Sequence, residues 1–368
     1  MEPFRILQVG MTSNYGGIES FIMNVYRNID RSKIQFDFLT LHDTKIAYQD
    51  EILDLGGRIY PIIYRRKEFL KHYLKLPYSF FKKHPEIKAI HYNRCNLTDI
   101  DSLIVAKQCH IPVRIIHSHC SGYMYPISRP IKLIERWNKK NIKKFANHFL
   151  ACSKTAGEWM FGNNPFSIIP NAIDVDKFKF NEDTRKRIRK EYGICKKFVI
   201  GHIGFFSPVK NHDFLIEVFK MFHDKKPDSI LMLIGDGPLK NKMKQKVHNL
   251  NLSDSVIFTG VRQNVAELLQ GIDVFAFPSK FEGFGIAAIE AQAAGLPCLI
   301  SSNVTKEVSL TDQVKFLPID NRNIWVQELL QISNYFIRKD SSELIKQAGY
   351  DIKIMARNMQ EYYLNIIK

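Results

Sequence analysis

A chain of 368 residues, 45% of them hydrophobic, can bury two cores, which excludes a disordered or fibrous protein and favours two domains. Its net charge of +16 is uneven: residues 1–165 carry 25 Lys/Arg against 14 Asp/Glu and the rest 28 against 23, so the first half should face something anionic. Six cysteines at 95, 109, 120, 152, 195 and 298, with no Cys-x-x-Cys, speak against a zinc site or disulfide framework and for a reducing compartment.

The chain enters a strand directly at 4–9, so no signal peptide is expected, and with no run of 18 apolar residues no membrane span is expected. Gly10 to Gly17 forms a loop with Gly16-Gly17 just before a helix over about 18–28. Glycine there lets backbone approach a ligand closely, or simply makes a tight turn. The spacing is not Gly-x-Gly-x-x-Gly, so the dinucleotide fingerprint is missing. Strands at 34–41, 58–63, 88–92, 113–117 and 148–152 alternate with helical segments such as 45–55 and 98–109, the pattern of a parallel sheet. Residues 169–196 read as a linker between a domain at 1–168 and a second at 197–345.

A second alternation follows, with strands at 198–203, 229–234, 255–258, 273–277, 297–301 and 314–317. Helices are expected at 211–224, 238–250, 264–270 and 285–294. Two doubly wound α/β halves of this kind bind ligands at the carboxyl ends of their strands. The segment 340–367 looks helical throughout, and 346–368 is expected to cross back to the first domain.

One βαβ unit of the second half stands out. The apolar run 274–277 is stopped by Pro278-Ser279, Glu282 to Gly285 make a glycine-rich loop, and Ile286 to Ala294 are helix formers ended by Gly295 and Pro297. Glu282 precedes this helix and Glu290 lies inside its apolar part, where a charge costs free energy unless something accepts it. The helix start offers unpaired N–H groups and partial positive charge. Together these suit a polyhydroxylated anion. A plain βαβ unit with two hydrated carboxylates is the alternative.

Two stretches concentrate the basic excess. Residues 64–88 carry Arg65, Arg66, Lys67, Lys71, Lys75, Lys82, Lys83 and Lys88 among aromatic and aliphatic side chains. Residues 129–145 carry Arg129, Lys132, Arg136, Lys139, Lys140, Lys143 and Lys144 with Ile131, Leu133, Ile134, Trp137, Ile142 and Phe145. Cations beside aromatics suit an anionic membrane surface; a helix packed on its own sheet with a solvated basic face is the competing reading. No nucleic-acid motif accompanies the charge, so no nucleic-acid partner is expected.

Several blocks taken together are distinctive: Gly-Gly-Ile-Glu-Ser at 16–20, Pro-Val-Arg-Ile-Ile-His-Ser-His at 112–119, Ile-Pro-Asn-Ala-Ile-Asp at 169–174, Lys-Asn-His-Asp-Phe-Leu at 210–215, Gly-Asp-Gly-Pro-Leu at 235–239, and Glu282 with Glu290. In this order they resemble the retaining, nucleotide-sugar-dependent glycosyltransferases of family 4, of GT-B fold, and within them the EpsF-like exopolysaccharide and capsule type. The resemblance implies two Rossmann-like domains facing across a cleft. It also implies a uridine-linked donor sugar, a glycan acceptor on a polyprenyl diphosphate, and a cytoplasmic enzyme peripheral to the inner membrane face, with no cofactor and no metal.

By the same resemblance, Glu290 would bond the donor ribose and Glu282 the transferred sugar, near the N–H groups of Phe284, Gly285 and Ile286. Lys210 would neutralise the leaving diphosphate, Gly17 would let the first domain close on it, and His119, rather than His117, would sit by the reacting carbon. Phe205 stands where a second diphosphate-binding Arg is usual, and Ala172 where Gly is common. Phe205 therefore leaves open a degenerate homologue that binds without turnover; a sugar-nucleotide epimerase of the same fold is a further alternative.

Overall fold

The computed structural model describes residues 2–41, 43–62, 75–123, 126–335 and 337–367. Two compact units emerge: residues 1–172 with 352–368, and residues 173–351.

The first unit is a parallel sheet of seven strands: β1 Phe4–Val9, β2 Ile34–Thr40, β3 Arg58–Pro61, β4 Ala89–Arg94, β5 Val113–Ser118, β6 His148–Ala151 and β7 Ser167–Ile168. Their order is β3-β2-β1-β4-β5-β6-β7. β1 is central, with Val9 paired to Leu39 on one side and Tyr92 on the other. It is covered on both faces, which is why apolar Ile6, Leu7 and Val9 point to both sides of it. On one face Phe21, Ile22 and Tyr26 of the helix Gly17–Asn28 pack with Met355, Met359 and Tyr363 of the last helix, Ile352–Ile367. On the other, Leu103 and Val105 of the helix Asp101–Gln108 pack with Phe80 and Phe81.

The second unit is a six-stranded parallel sheet: β8 Phe198–Ile203, β9 Ser229–Ile234, β10 Val256–Gly260, β11 Val274–Phe277, β12 Cys298–Ser301 and β13 Val314–Leu317. The order β10-β9-β8-β11-β12-β13 is the doubly wound 3-2-1-4-5-6 arrangement. It reverses between β8 and β11, and ligands bind beyond the strand ends at such a reversal.

Several boundaries depart from expectation. Residues 173–196 are not a loose connection but part of the second unit. Its helix Glu182–Glu191 turns Arg185 and Arg189 onto the buried Asp273, at 2.5 and 3.1 Å. The single helix expected over 340–367 is two, Ser342–Gln347 and Ile352–Ile367. Gly349 at φ +86 ends the first, and the Tyr350 carbonyl accepts from Ile173 N at 3.0 Å. The helix expected from 45 starts at Gln49 because Ala47 N is engaged by Thr12 O at 2.8 Å. That expected from 98 starts at Asp101, whose N–H is taken by the Asp99 carboxylate at 2.9 Å. β7, two residues long, is too short for any periodicity to announce.

Of the first basic stretch, residues 63–74, with Arg65, Arg66, Lys67 and Lys71, lie outside the described residues. The second forms the helix Arg129–Asn141, and it is inverted. Its inward residues are polar: Glu135 and Asn138 are buried, Asn138 Nδ2 donates to Leu97 O at 2.7 Å, and the Tyr123 hydroxyl donates to Glu135. Leu133 is 67% and Trp137 54% exposed, with Ile131 and Ile134 also outward. A basic face over an apolar contact with the sheet is therefore not what forms. Among the described residues, no helix is long and apolar enough to cross a membrane. The cysteines do not stay scattered: Cys95 and Cys120 follow neighbouring strands, and their sulfurs come within 2.6 Å.

Candidate functional site

At the reversal of the second sheet, the loops after β8 and β11 meet. Lys280 N donates to Val209 O at 2.8 Å, which brings Lys210 beside Glu282. The Lys210 ammonium bonds Glu282 Oε1 at 2.6 Å and lies 5.0 Å from the centre of the Phe277 ring.

The loop carrying Lys210 is clasped by the Gly-Asp-Gly-Pro-Leu block. Phe206 N donates to Asp236 O and Leu239 N to Phe206 O, at 2.9 and 3.0 Å. Gly235 and Gly237 have φ of +142 and +152, and a Cβ on either would strike the backbone of residues 204–206. The block thus needs glycine twice, to let two loops touch. Beneath it, the Phe206 ring stacks on His212 at 3.9 Å, and Phe205 is half-buried beside them.

Gly285, at φ +88, caps the eight-residue helix Ile286–Ala293. A left-handed cap turns the chain sharply, so the N–H groups of Phe284, Gly285 and Ile286 find no carbonyl among the described residues. Phe284 is buried and stacks on Tyr350 at 5.2 Å, which fixes that turn. Glu290 is half-buried one turn along, and its carboxylate makes no hydrogen bond or ion pair among the described residues. Burial pushes its carboxyl up to about 7, against a small opposing pull from Lys177. The other polar side chain of this helix, Gln292, is satisfied: its amide donates to Ala288 O and Val308 O and accepts from Leu310 N. Of the two polar side chains of this helix, one is fully used and the other, the Glu290 carboxylate, has acceptor capacity that no described residue fills.

The first unit presents a separate group at the ends of β1, β4 and β5. His117 and His119 are buried there, ring centroids 4.1 Å apart, and Phe21 of the helix Gly17–Asn28 packs against both. His119 Nε2 meets Asn93 Oδ1 at 3.0 Å. Desolvation lowers His119 to about 3 and His117 well below its usual value, so both rings are neutral. Gly17 is exposed, and a Cβ added there would meet nothing. Gly16 differs: a Cβ would come within 2.8 Å of Glu19 Oε2. Glu19 is buried, and its carboxylate accepts from Thr12 N and Oγ1 at 3.1 and 2.6 Å. Sequence reasoning gave Glu19 no task; it staples the 10–17 loop to the helix.

Thus Lys210, Glu282, Phe284, Gly285, Ile286 and Glu290 gather in the second unit, and Gly17, His117 and His119 belong to the first. Sequence reasoning missed Tyr363, Asn93, Gln8 and His91, which hold the histidines; buried polar residues on apolar strands were the signal available. Two Asp-x-Asp triplets, at 99–101 and 174–176, are taken up structurally. Asp99 pairs with Arg94, Asp174 caps the helix Val175–Phe178, and Asp176 pairs with Lys346. Among the described residues, no group of three or more His, Cys, Asp or Glu is placed to hold a metal ion.

Comparison with known proteins agrees with this architecture. Residues 15–177 match the family model for Glycosyltransferase Family 4, and residues 184–324 that for Glycosyl transferases group 1. A Bacillus subtilis (strain 168) protein named as a glycosyltransferase, EpsF, is 33% identical over 357 residues, covering 94% of this chain and 93% of that one. An Escherichia coli UDP-Gal:alpha-D-GlcNAc-diphosphoundecaprenol alpha-1,3-galactosyltransferase is 27% identical over 237 residues, 61% of this chain and 60% of that one. The structure of Anabaena Alr3699/HepE in complex with UDP and glucose superposes with a TM-score of 0.79 at 17% identity, over 98% of this chain and 100% of that one. With two Rossmann-like sheets and a full-length relative in this group, the chain belongs to the family 4 glycosyltransferases of GT-B fold.

Proposed function

We propose that the chain moves a hexosyl group, with retention, from a nucleotide-diphosphate sugar, uridine-linked, to a glycan carried on a polyprenyl diphosphate in exopolysaccharide or capsule assembly. The observation that carries the reading is the unsatisfied helix start at 284–286, with Lys210 paired to Glu282 and an unpaired Glu290 on the same small helix. A diphosphate needs a cation and N–H donors. A ribose and a hexose need carboxylates that accept from hydroxyls.

In this reading Glu290 accepts from the ribose hydroxyls, Glu282 holds the transferred sugar, and Lys210 with the N–H groups of Phe284, Gly285 and Ile286 receives the diphosphate. The bond from the anomeric carbon to the phosphate oxygen breaks as the acceptor oxygen bonds the same face. The acceptor's proton passes to the departing phosphate. Negative charge grows only on the diphosphate, where fixed cations and dipoles lower the barrier by about 3–4 kcal/mol per donor. No protein nucleophile and no metal is called for. The names of the relatives support the choice of donor and carrier: the Anabaena structure holds UDP and glucose, and the Escherichia coli enzyme takes UDP-Gal to a diphosphoundecaprenol-linked sugar.

The exposed face of the helix Arg129–Asn141 supports a place at the inner membrane surface on the cytoplasmic side, where Leu133 and Trp137 enter the headgroup layer between Arg129, Lys132, Arg136 and Lys140. Phe205 favours one second reading, a homologue that binds sugar nucleotide without turning it over. The deciding experiment offers purified protein a panel of sugar nucleotides with polyprenyl-diphosphate-linked acceptors and follows product anomeric configuration by NMR. An axial-linked product from a UDP-sugar with an axial anomeric bond supports transfer with retention. Nucleotide binding with neither transfer nor donor hydrolysis sinks it in favour of the second reading, and product formed without acceptor would point to an epimerase.

A further inference from the structure

The first unit contains a chain of hydrogen-bonded polar groups whose proton positions follow from one fixed member, Asn93. Asn93 Nδ2 faces two backbone carbonyls, Val9 O and His91 O, each at 3.3 Å, and Gln8 Oε1 at 3.0 Å. Carbonyls only accept, so the amide nitrogen points that way and Asn93 Oδ1 faces His119 Nε2 at 3.0 Å. His119 therefore carries its proton on Nε2, and its Nδ1 keeps a lone pair.

Gln8, with its oxygen turned to Asn93, presents Nε2 to the Tyr363 hydroxyl at 3.3 Å. Tyr363 accepts there and gives its own proton to His91 Nδ1 at 2.6 Å. His91 must then be protonated on Nε2, which donates to His117 Nδ1 at 3.2 Å. The proton of His117 is left on Nε2. Burial holds all three rings neutral, with His91 and His119 lowered to about 3, so each ring has one donor and one acceptor.

Two atoms at the end of this chain have no partner among the described residues: His117 Nε2 and His119 Nδ1. By the order above, the first is a donor and the second an acceptor, on rings 4.1 Å apart. A carboxylate or phosphate oxygen would leave the His119 lone pair unmet, and an ammonium would leave the His117 proton unmet. An alcohol accepts one hydrogen bond and donates another.

We propose that His117 and His119 together bind one hydroxyl group of a polyol ligand, and that Tyr363, acting through His91, is the positioning residue that fixes His117 as the donor. That the hydroxyl is a sugar's rests on the transferase reading; the proton order does not.

The test uses the full chain labelled with 15N-histidine and long-range 1H–15N correlation spectra. In the unaltered protein His117 and His119 each show one species, protonated on Nε2 and bare on Nδ1. Tyr363→Phe, which keeps the ring and removes the proton, and His91→Phe, which removes the link, each convert His117 to a mixture of tautomers and leave His119, held by Asn93, unchanged. A His117 protonated on Nδ1 in the unaltered chain, or a His117 unmoved in both variants, overturns the proton order. In transfer assays Tyr363→Phe lowers kcat about tenfold or more, with donor KM changed less than about twofold; a change confined to thermal stability assigns Tyr363 to packing alone and sinks its positioning role. UDP-glucose, compared with UDP, shifts the His117 Nε2–H and His119 Nδ1 resonances; identical spectra for the two overturn the hydroxyl site. Loss of all nucleotide binding would defeat the transferase reading while leaving the proton order, read in the free chain, to stand on its own spectra.

Discussion

Lys210 and Glu282, 72 residues apart in sequence, hold one another at 2.6 Å, so the unliganded site keeps its cation on its own carboxylate. A diphosphate must draw the ammonium away from Glu282, and a sugar hydroxyl must replace it there. Lys210→Ala should lower kcat/KM by about 10²–10³-fold, the usual loss for a donor to developing charge. Glu282→Ala frees the ammonium: UDP should bind up to about fivefold tighter, since a partly exposed pair is worth about 1 kcal/mol or less, while sugar transfer collapses. Titration calorimetry with UDP and steady-state assays read both. Equal loss of UDP affinity in the two variants would show that the pair acts as one structural brace.

Glu290 titrates near 7 because burial disfavours its charge, and it must be ionised to accept from two ribose hydroxyls. Its folded-state value lies above the ordinary 4.5, so the ionised, binding-competent form grows as pH rises through 7. Affinity for UDP-glucose, whose diphosphate has no proton to lose in that range, should increase by up to about tenfold from pH 6 to pH 8. In Glu290→Gln the dependence should vanish, with weaker binding throughout. A pH-independent affinity in the unaltered protein would remove the carboxylate from the ribose site.

Gly16 and Gly17 look interchangeable in sequence and are not. Gly17 opens onto free space, whereas Gly16 lies against the Glu19 carboxylate that anchors Thr12. Gly17→Ala should leave the melting temperature unchanged and weaken donor binding if the diphosphate approaches that backbone. Gly16→Ala should lower stability by about 1–2 kcal/mol through the displaced Glu19. Thermal unfolding with nucleotide titration separates the two; unaltered donor affinity in Gly17→Ala would take Gly17 out of the site.

The sheets were legible because buried parallel strands are rich in apolar residues, and β1, β8, β9 and β13 span the residues expected of them, 4–9, 198–203, 229–234 and 314–317. Glu282 and Glu290 were legible because charges beside a glycine turn and inside an apolar helix have no reason to be there unless used. The histidine chain was not legible. Gln8, Asn93 and Tyr363 come from β1, β4 and the last helix, and only folding places them in one line. The segment after 173 was misread for a related reason: a charged run looks like a linker until Arg185 and Arg189 are seen to converge on Asp273, whose carboxylate also accepts from Val199 N at 2.8 Å.

Phe205 gives the sharpest comparison of activity. Its backbone is fixed by neighbours clasped to the Gly-Asp-Gly block, and its side chain is half-buried. Arginine there reaches solvent along its stem without disturbing that clasp. Phe205→Arg should fold normally and raise kcat about tenfold by adding a second fixed cation near the leaving diphosphate. An unchanged, substantial rate would mean that Lys210 with the helix N–H groups already suffices.

The inverted helix sets the membrane prediction. Ordinary amphipathic helices bury their apolar stripe; Arg129–Asn141 buries Glu135 and Asn138 and turns Ile131, Leu133, Ile134 and Trp137 outward among four exposed cations. Such a face is stable in water only at a cost in exposed apolar area, which a headgroup layer would relieve. Vesicles of phosphatidylcholine with phosphatidylglycerol should bind the protein; those of phosphatidylcholine alone should bind it weakly. Lys132→Glu with Arg136→Glu should cost about 2 kcal/mol of binding at low salt, at about 1 kcal/mol per cation, and less as salt rises. Leu133→Ser with Trp137→Ser should weaken binding at every salt concentration, because the lost contribution is apolar. Of the three tryptophans, Trp325 is buried and silent in this test, so a blue shift on adding anionic vesicles that disappears in Trp137→Phe would place this helix in the membrane. Vesicle binding indifferent to both double variants would assign the attraction to other basic surfaces, including Lys82 and Lys83, and leave the outward face of this helix to a protein partner.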